Sequence, residues 1–240
     1  MSRSSDPRGA RRGVDDAVAA FAAGDPVLVH DAADREGEVD LVYPAAAVDA
    51  DDVARMRDDA GGLVCVALPD DVCTTWELPF VRGTLDHPAA GAHELSYGDR
   101  SSFSFTVNHR DTFTGITDED RALTISALGE AAAEVRRATA LAGDVARDAV
   151  AAGPAGFAEH FRAPGHVHLL RAAPDLLADR RGHTELGVAL AEAAGVAPAV
   201  VVCEMLDEAD GALSPTAARA YADRNDLVYV EGSDLLERFD

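Results

Sequence analysis

The chain has 240 residues and a formal net charge of −22, with 43 acidic residues against 21 basic ones. Each of the 21 is arginine, and the absence of lysine excludes Schiff-base aldolases, pyridoxal enzymes and P-loop nucleotide sites. A negative charge of this size argues against nucleic acid as a partner, because nucleic-acid binding requires a basic surface. The length and a hydrophobic content of 48% favour one compact domain.

Residues 1–13 are rich in Arg, Ser and Gly and contain no apolar segment, so we expect a flexible N-terminus before a single domain over residues 14–240. No stretch approaches the roughly 18 apolar residues of a membrane span, which indicates a soluble, cytoplasmic protein without a membrane partner. The cysteines are too scattered for a disulfide framework or a zinc motif. The acid-rich, lysine-free composition resembles that of proteins from salt-accumulating halophiles.

Apolar spacing in the first hundred residues predicts short elements separated by turns. A helix is expected over residues 15–23, with Gly24 at its end, and a second over residues 53–59. Strands are expected at residues 26–30, 40–43 and 63–67. Residues 69–102 show little periodicity and are interpreted as a loop with a short helix.

The remaining chain alternates strands with helices. Strands are predicted at residues 103–107, 167–170, 199–205 and 227–229, and helices at residues 183–194 and 215–224. An alanine-rich helix should run from Asp118 to about Ala152, with a break near Gly143. This alternation indicates an α/β fold, in which one mixed sheet is flanked by helices.

Residues 31–40, with the sequence DAADREGEVD, form an acidic segment between two predicted strands. Carboxylates packed this closely repel one another unless a divalent cation, an arginine or solvent offsets the charge. A solvated hairpin tip is the alternative interpretation. An arginine among five acids, with apolar strands on either side, favours a functional site.

Residues 180–185, with the sequence RRGHTE, immediately precede an apolar helix. Backbone N–H groups at a helix start, a threonine hydroxyl and an arginine together can bind a phosphate group. His183 could instead bind a metal ion. In the alternative interpretation, Thr184 caps the helix and the two arginines are surface residues.

Two further residues stand where α/β proteins often carry catalytic groups. Glu204 ends an apolar strand, and an acid there, if partly buried, would have a raised pKa suited to proton transfer. His166 follows a Pro-Gly pair at the entry to a strand. A structural role for His166 and an exposed strand end for Glu204 are the alternatives.

Together, these segments resemble the 3,4-dihydroxy-2-butanone 4-phosphate synthase family from about Val14 to Leu236. The segments that carry the resemblance occur in the family's order and at close to its spacing. They are DREGEVD at 34–40, GLVC at 62–65, FTV at 105–107, TGIT at 114–117, DR at 120–121, PGHV at 164–167, RRGHTE at 180–185 and CE at 203–204. The chain departs from the family motif at Ala33, Gly37, Val39 and Ala163.

The resemblance implies a lyase that converts D-ribulose 5-phosphate into L-3,4-dihydroxy-2-butanone 4-phosphate and formate for riboflavin biosynthesis. It implies Mg²⁺ or Mn²⁺ as cofactor, two ions per active site, with Glu36 and His183 as ligands. It also implies a homodimer with the active site at the interface. The implied catalytic residues are His166, Glu204, Glu38 and Cys65. The implied substrate-binding residues are Arg35, Asp31, Asp40, Arg180, Arg181, Gly182, Thr184 and Thr117.

Two other functions are compatible with these residues. Another metal-dependent aldolase or isomerase acting on a sugar phosphate could use the same groups, but it would not release formate. A non-catalytic protein that binds phosphosugars could keep the fold, although it would have no need of both His166 and Glu204.

Overall fold

The computed structural model describes residues 7–31, 36–90, 100–142, 153–207 and 211–239. Its centre is a seven-stranded mixed sheet with the order β4-β5-β3-β6-β2-β1-β7. The strands are β1 (Val27–His30), β2 (Val39–Pro44), β3 (Cys65–Leu68), β4 (Phe103–His109), β5 (Phe161–Arg171), β6 (Val200–Glu204) and β7 (Val228–Glu231). This sheet, with its helices, confirms the predicted α/β class.

Eight α-helices are found in the described part of the chain. They are α1 (Pro7–Ala23), α2 (Ala50–Arg55), α3 (Asp70–Thr75), α4 (Asp118–Ala142), α5 (Pro154–His160), α6 (His183–Ala194), α7 (Pro215–Asn225) and α8 (Gly232–Phe239). A π-helical turn, Met56–Ala60, continues α2. None of the described helices has the length and apolar character needed to cross a membrane.

The helices cover both faces of the sheet, because alternate strand residues point to opposite sides. On one side Leu41, Val201 and Cys203 join a core with side chains of α2, α3, α4 and α7. On the other side Val42 and Val202 pack against α1, α6 and α8. Both faces of the central strands β2, β3 and β6 are therefore buried, and polar groups of these strands approach solvent at the strand ends.

Strand pairing brings chemically important residues to one such end. β2 and β6 are antiparallel, with Asp40 opposite Glu204. β3 and β6 are also antiparallel, with Cys65 opposite Val202. Because Asp40, Glu204 and Cys65 occupy the alternate positions that face α6, their side chains lie on the same side of the sheet.

The largest departure from the predicted elements is at β5. The prediction began this strand at Val167, after a Pro-Gly turn, whereas β5 begins at Phe161 and contains the Pro-Gly pair. Asn108 of β4 pairs with Arg162, although the preceding Val107 pairs with Val167. The extra residues of β5 form a bulge, because β4 offers no partners for them.

Other element boundaries differ less. α1 extends N-terminally of the predicted helix start, and β3 begins at Cys65, later than predicted. α5 and α8 were not predicted. The proposed helix break near Gly143 lies outside the described residues, as do residues 1–6 of the N-terminus.

Candidate active site

A cleft of about 370 Å³ opens where the ends of β2 and β6 meet the first residues of β3 and the start of α6. Two acidic strand ends and a helix N-terminus thus face one space. Many of the residues singled out from the sequence line it. These are Glu36, Glu38, Asp40, Cys65, Arg180, His183, Thr184 and Glu204.

Asp31, Glu36 and His183 form a cluster suited to a metal ion. One ligand atom from each lies within 4.8 Å of the other two. Asp31 is buried directly after β1, and its carboxylate accepts a hydrogen bond from the backbone N–H of Glu38 at 3.1 Å. Its own N–H donates to the carbonyl oxygen of Glu38, also at 3.1 Å. These two bonds tie the residue that follows β1 to the residue that precedes β2.

The surroundings of His183 fix the orientation of its ring. Its Nε2 lies 3.2 Å from the carbonyl oxygen of Val29, which can only accept, so Nε2 carries a proton and donates. Nδ1 lies 3.4 Å from Oδ1 of Asp40. Burial lowers the pKa of His183, against the opposing effect of neighbouring acids, which favours the neutral ring. A neutral ring with a free electron pair on Nδ1 is the form that binds metal.

Carboxylates crowd the floor of the cleft. Asp40 is almost fully buried, and among the described residues its Oδ1 has no hydrogen-bond partner. Burial, followed by the charges of Glu204 and Glu38, raises the pKa of Asp40 well above its usual range. Burial and the charges of Glu36 and Glu204 also raise the pKa of Glu38. A buried oxygen that accepts no hydrogen bond from the described residues, among acids that repel one another, fits the binding of a divalent cation with oxygen ligands.

Glu204 is held against the segment that leads into β3. Its Oε2 accepts the backbone N–H of Leu63 at 2.9 Å, and its carbonyl oxygen accepts the N–H of Gly62 at 3.1 Å. A side chain at Gly62 would overlap this carbonyl oxygen, so the close approach requires glycine. The Gly-Leu-Val-Cys segment therefore positions the carboxylate as well as forming the strand.

The start of α6 supplies groups that could bind an anion. Gly182 is the N-cap residue, and because it has no side chain, none caps the N–H groups of the first turn. Thr184 lies within the helix, so the alternative in which Thr184 caps the helix is wrong. Arg180 Nη1 contacts Oε2 of Glu185 at 2.8 Å, and this fully buried carboxylate also accepts the N–H of Ala173 at 3.0 Å. Glu185 thereby holds the guanidinium beside the first turn of α6, where a phosphate would be attracted.

Several expected site residues do not line this cleft. His166 is exposed on β5 and bonded to Asn108. Thr117 is exposed before α4, and its hydroxyl accepts the N–H of Asp120 at 3.1 Å. Arg181 is exposed and lies 3.5 Å from the carbonyl oxygen of Leu177. Arg35 lies outside the described residues.

Cys65 lines the cleft as a buried thiol. Burial, followed by the charges of Glu204 and Asp40, raises the pKa of its thiol far above the usual range. The thiolate is therefore not available near neutral pH, and Cys65 can contribute packing or a weak hydrogen bond rather than a nucleophile.

Arg82, Arg100, Ser101 and Ser102 also line the cleft, although no role was predicted for them from the sequence. They come from the region interpreted as a loop. The sequence did offer one signal for the two arginines. In a chain without lysine, few cationic side chains other than arginine can balance the acids, so an arginine in a non-periodic segment is a candidate for the site.

A family model described as 3,4-dihydroxy-2-butanone 4-phosphate synthase matches residues 15–238. Relatives with that name include one from Archaeoglobus fulgidus, 44% identical over 235 residues, covering 94% of this chain and 93% of the relative. One from Methanosarcina mazei is 44% identical over 234 residues, covering 93% of this chain and 89% of the relative.

Solved structures of synthases with this name are also similar to this chain. The synthase of Candida albicans is 27% identical, with a TM-score of 0.71, covering 95% of this chain and 97% of that one. A synthase structure in complex with two magnesium ions is 30% identical, with a TM-score of 0.72, covering 92% of this chain and 94% of that one. The chain belongs to the 3,4-dihydroxy-2-butanone 4-phosphate synthase family.

Proposed function

We propose that this cleft converts D-ribulose 5-phosphate into L-3,4-dihydroxy-2-butanone 4-phosphate and formate, the lyase reaction that supplies the four-carbon unit of riboflavin. The observation that carries the proposal is the convergence of a potential metal-ligand cluster, two further acids and an anion-binding helix start on one cleft. A single catalytic domain over residues 14–240 is part of the proposal, since all seven strands share one sheet.

Glu36 and His183 would hold Mg²⁺ or Mn²⁺, and Asp31 lies within ligand distance of both. The donor set fits, because carboxylate oxygens with one neutral imidazole suit these cations. The proposed number of two ions agrees with the two magnesium ions in the related structure. A cation in this place supplies Lewis-acid stabilisation for negative charge that develops on the sugar oxygens.

The phosphate of the substrate would bind at the start of α6. Arg180, oriented by Glu185, and the amides after Gly182 supply charge and hydrogen bonds, and the hydroxyl of Thr184 lines the same wall. Arg35 and Arg181 are proposed to add charge around the phosphate. With its phosphate bound there, the sugar chain of the substrate would extend toward Asp40 and Glu38.

The acids of the cleft would act on the sugar itself. Asp40 and Asp31 would bind hydroxyl groups, and Glu38, whose pKa is raised, would exchange protons with them. Glu204, held by the N–H of Leu63, would take the proton next to the ketone, with Cys65 packed beside it. His166 would work with Glu204 in these proton movements.

A second copy of the chain would complete the site. His166 and Thr117 belong to the proposed machinery, yet both are exposed and neither lines the cleft. Near them, Phe113 is 93% exposed and Ile116 is 52% exposed. The N–H groups of Phe113, Thr114 and Gly115 bond to the Asp120 carboxylate, so this apolar turn is held in one conformation. Exposed apolar groups on an ordered turn favour a homodimer contact that brings His166 to a partner's cleft.

Product analysis tests the reaction directly. The enzyme, incubated with ribulose 5-phosphate and Mg²⁺, should release formate in equal amount to the four-carbon phosphate, and EDTA should abolish both products. A metal-dependent isomerase or aldolase would consume the substrate without formate, and a binding protein would leave it unchanged. Either of those results would refute the proposed reaction.

A further inference from the structure

Asn108 is a buried polar side chain on β4 that contacts the proposed catalytic His166 through both its carboxamide atoms. Its Oδ1 lies 2.8 Å from the backbone nitrogen of His166. Its Nδ2 lies 3.4 Å from the carbonyl oxygen of Thr114 and 3.1 Å from Nδ1 of the His166 ring. One side chain thus joins β4, the bulge of β5 and the turn that carries Phe113.

The two backbone contacts fix which way the carboxamide faces. A backbone N–H can only donate, so the atom opposite the His166 nitrogen is the oxygen. A carbonyl oxygen can only accept, so the atom opposite Thr114 is the nitrogen. Asn108 Nδ2 is therefore a donor, and its contact with Nδ1 of the His166 ring, at 3.1 Å, is shorter than that of Oδ1, at 3.3 Å. The shorter contact assigns Nδ1 of the neutral ring as the acceptor. The ring proton is then on Nε2. Oδ1 lies 3.3 Å from the same Nδ1 and could accept a hydrogen bond from it only in the charged ring or in the other neutral tautomer.

Two glycines make this arrangement possible. A side chain at Gly115 would overlap the carboxamide of Asn108, and Gly115 also has a φ of +91°, which favours glycine. A side chain at Gly165 would overlap the peptide that joins Val107 and Asn108. The bulge of β5 and the turn before α4 therefore both depend on the absence of a side chain where they meet Asn108.

We propose that Asn108 is a positioning residue for His166, which it holds with Nε2–H directed outward as a hydrogen-bond donor to an oxygen of the substrate. His166 and Glu204 then have separate roles in the proposed pair. His166 donates a hydrogen bond, and Glu204 accepts the substrate's proton. Because this builds on the assignment of His166 in the proposed function, the two are tested by different measurements.

The proton position can be observed without any activity measurement. In the full-length enzyme labelled with ¹⁵N-histidine, the His166 signals are identified by their absence in His166→Ala. At a pH where the ring is neutral, we expect Nε2 to be protonated. Asn108→Asp keeps the shape of the side chain but replaces the donor with an acceptor, so the proton should move to Nδ1. Asn225→Ala, at the exposed end of α7, is the control and should leave these signals unchanged.

Kinetics provide the second measurement. Asn108→Ala and Asn108→Asp should lower kcat by roughly 10- to 100-fold with little change in KM, because misplacing a catalytic group costs rate rather than binding. Adding Asn108→Ala to His166→Ala should cause almost no further loss. Thermal unfolding of each variant is measured in parallel.

A wild-type His166 protonated at Nδ1, or an unchanged proton position in Asn108→Asp, would overturn the proposal. Additive losses in the double variant would also overturn it. Full activity of His166→Ala would instead refute the catalytic assignment of His166, while the proton position would still report whether Asn108 orients the ring. The wild-type spectrum keeps the test valid even if an Asn108 variant does not fold.

Discussion

At the scale of single residues, the main feature of the cleft is the number of acidic side chains that share it. After burial, the charge of Glu204 helps to raise the pKa of both Asp40 and Glu38, and the charge of Glu38 also raises the pKa of Asp40. Acidic groups with raised pKa values cluster at functional sites, because the same groups at separate surface positions would cost less free energy to ionise. A divalent cation bound as proposed would offset this repulsion, so occupancy of the site and stability of the fold would be energetically linked.

The proposed metal ligands give the first prediction. Glu36→Gln and His183→Ala should each lower kcat/KM by roughly 1000-fold or more, about 4 kcal/mol of transition-state stabilisation. Both should also weaken Mn²⁺ binding, measured by the paramagnetic relaxation of water protons. Glu130→Gln, which alters an exposed acid on α4, is the control. Unchanged Mn²⁺ affinity in either ligand variant would remove that residue from the metal site.

The proposed phosphate contact of Arg180 gives the second prediction. Arg180→Ala should raise KM more than it lowers kcat, because a charge-assisted phosphate contact persists from the bound substrate to the transition state. Glu185→Gln should have the same effect more weakly, since it keeps Arg180 but removes the charge that orients it. Steady-state kinetics over a range of substrate concentrations separate the two parameters. An unchanged KM with a collapsed kcat would contradict the assignment.

At this scale, sequence reasoning found the residue types but not all of their positions. The family resemblance implied that Asp40, Glu204 and His183 belong to one site, and all three line one cleft. Residue patterns alone did not place Asp40 opposite Glu204, because the pairing of β2 with β6 joins distant parts of the chain. The two cleft arginines were missed because their segment has no periodicity that indicates where it folds. Asn108 was missed because its partners lie on another strand and another turn.

At the scale of elements, packing between helix and sheet depends on small residues at close contacts. Gly129 of α4 faces the turn at Ala45–Ala47, and a side chain there would come within 2.5 Å of the backbone nitrogen of Ala46. Backbone cannot rotate away as a side chain can, so the helix itself would have to move.

This contact gives the third prediction. Gly129→Ala should destabilise the protein by about 1–3 kcal/mol, because α4 must shift away from the turn at Ala45–Ala47. Gly13→Ala, in α1 with open space around it, should instead stabilise it by about 0.5–1 kcal/mol through lower backbone entropy. Urea unfolding of both variants measures the difference. Equal effects of the two substitutions would show that α4 does not rely on the close contact.

Elements were predictable where one local pattern determined them. β6 and α6 are continuous apolar segments with clear ends, and both were placed within a residue or two. β5 was misjudged because a Pro-Gly pair ordinarily ends a strand, whereas here β4 continues alongside and the extra residues bulge outward. α8 was missed because it follows β7 directly, without a turn residue other than Gly232.

At the scale of the whole molecule, one chain presents two incomplete halves of a proposed site. The cleft holds the potential metal ligands and Glu204, while His166 is exposed on the bulge of β5, held by Asn108. A symmetric dimer can join these halves, because a two-fold axis brings the same patch of each subunit to the other. Each dimer would then contain two sites, each built from both subunits.

The fourth prediction follows from this sharing. His166→Ala and Glu204→Gln homodimers should each be almost inactive, since each lacks one proposed catalytic group in both sites. A mixed dimer has one site in which the His166→Ala subunit supplies Glu204 and the Glu204→Gln subunit supplies His166. Random mixing makes half of the dimers mixed, so activity should return to about a quarter of the wild-type value. Co-expression of the two variants, with sedimentation to verify the dimer, measures this recovery. If both groups act within one chain, no mixture can recover activity, and the proposed shared site would be wrong.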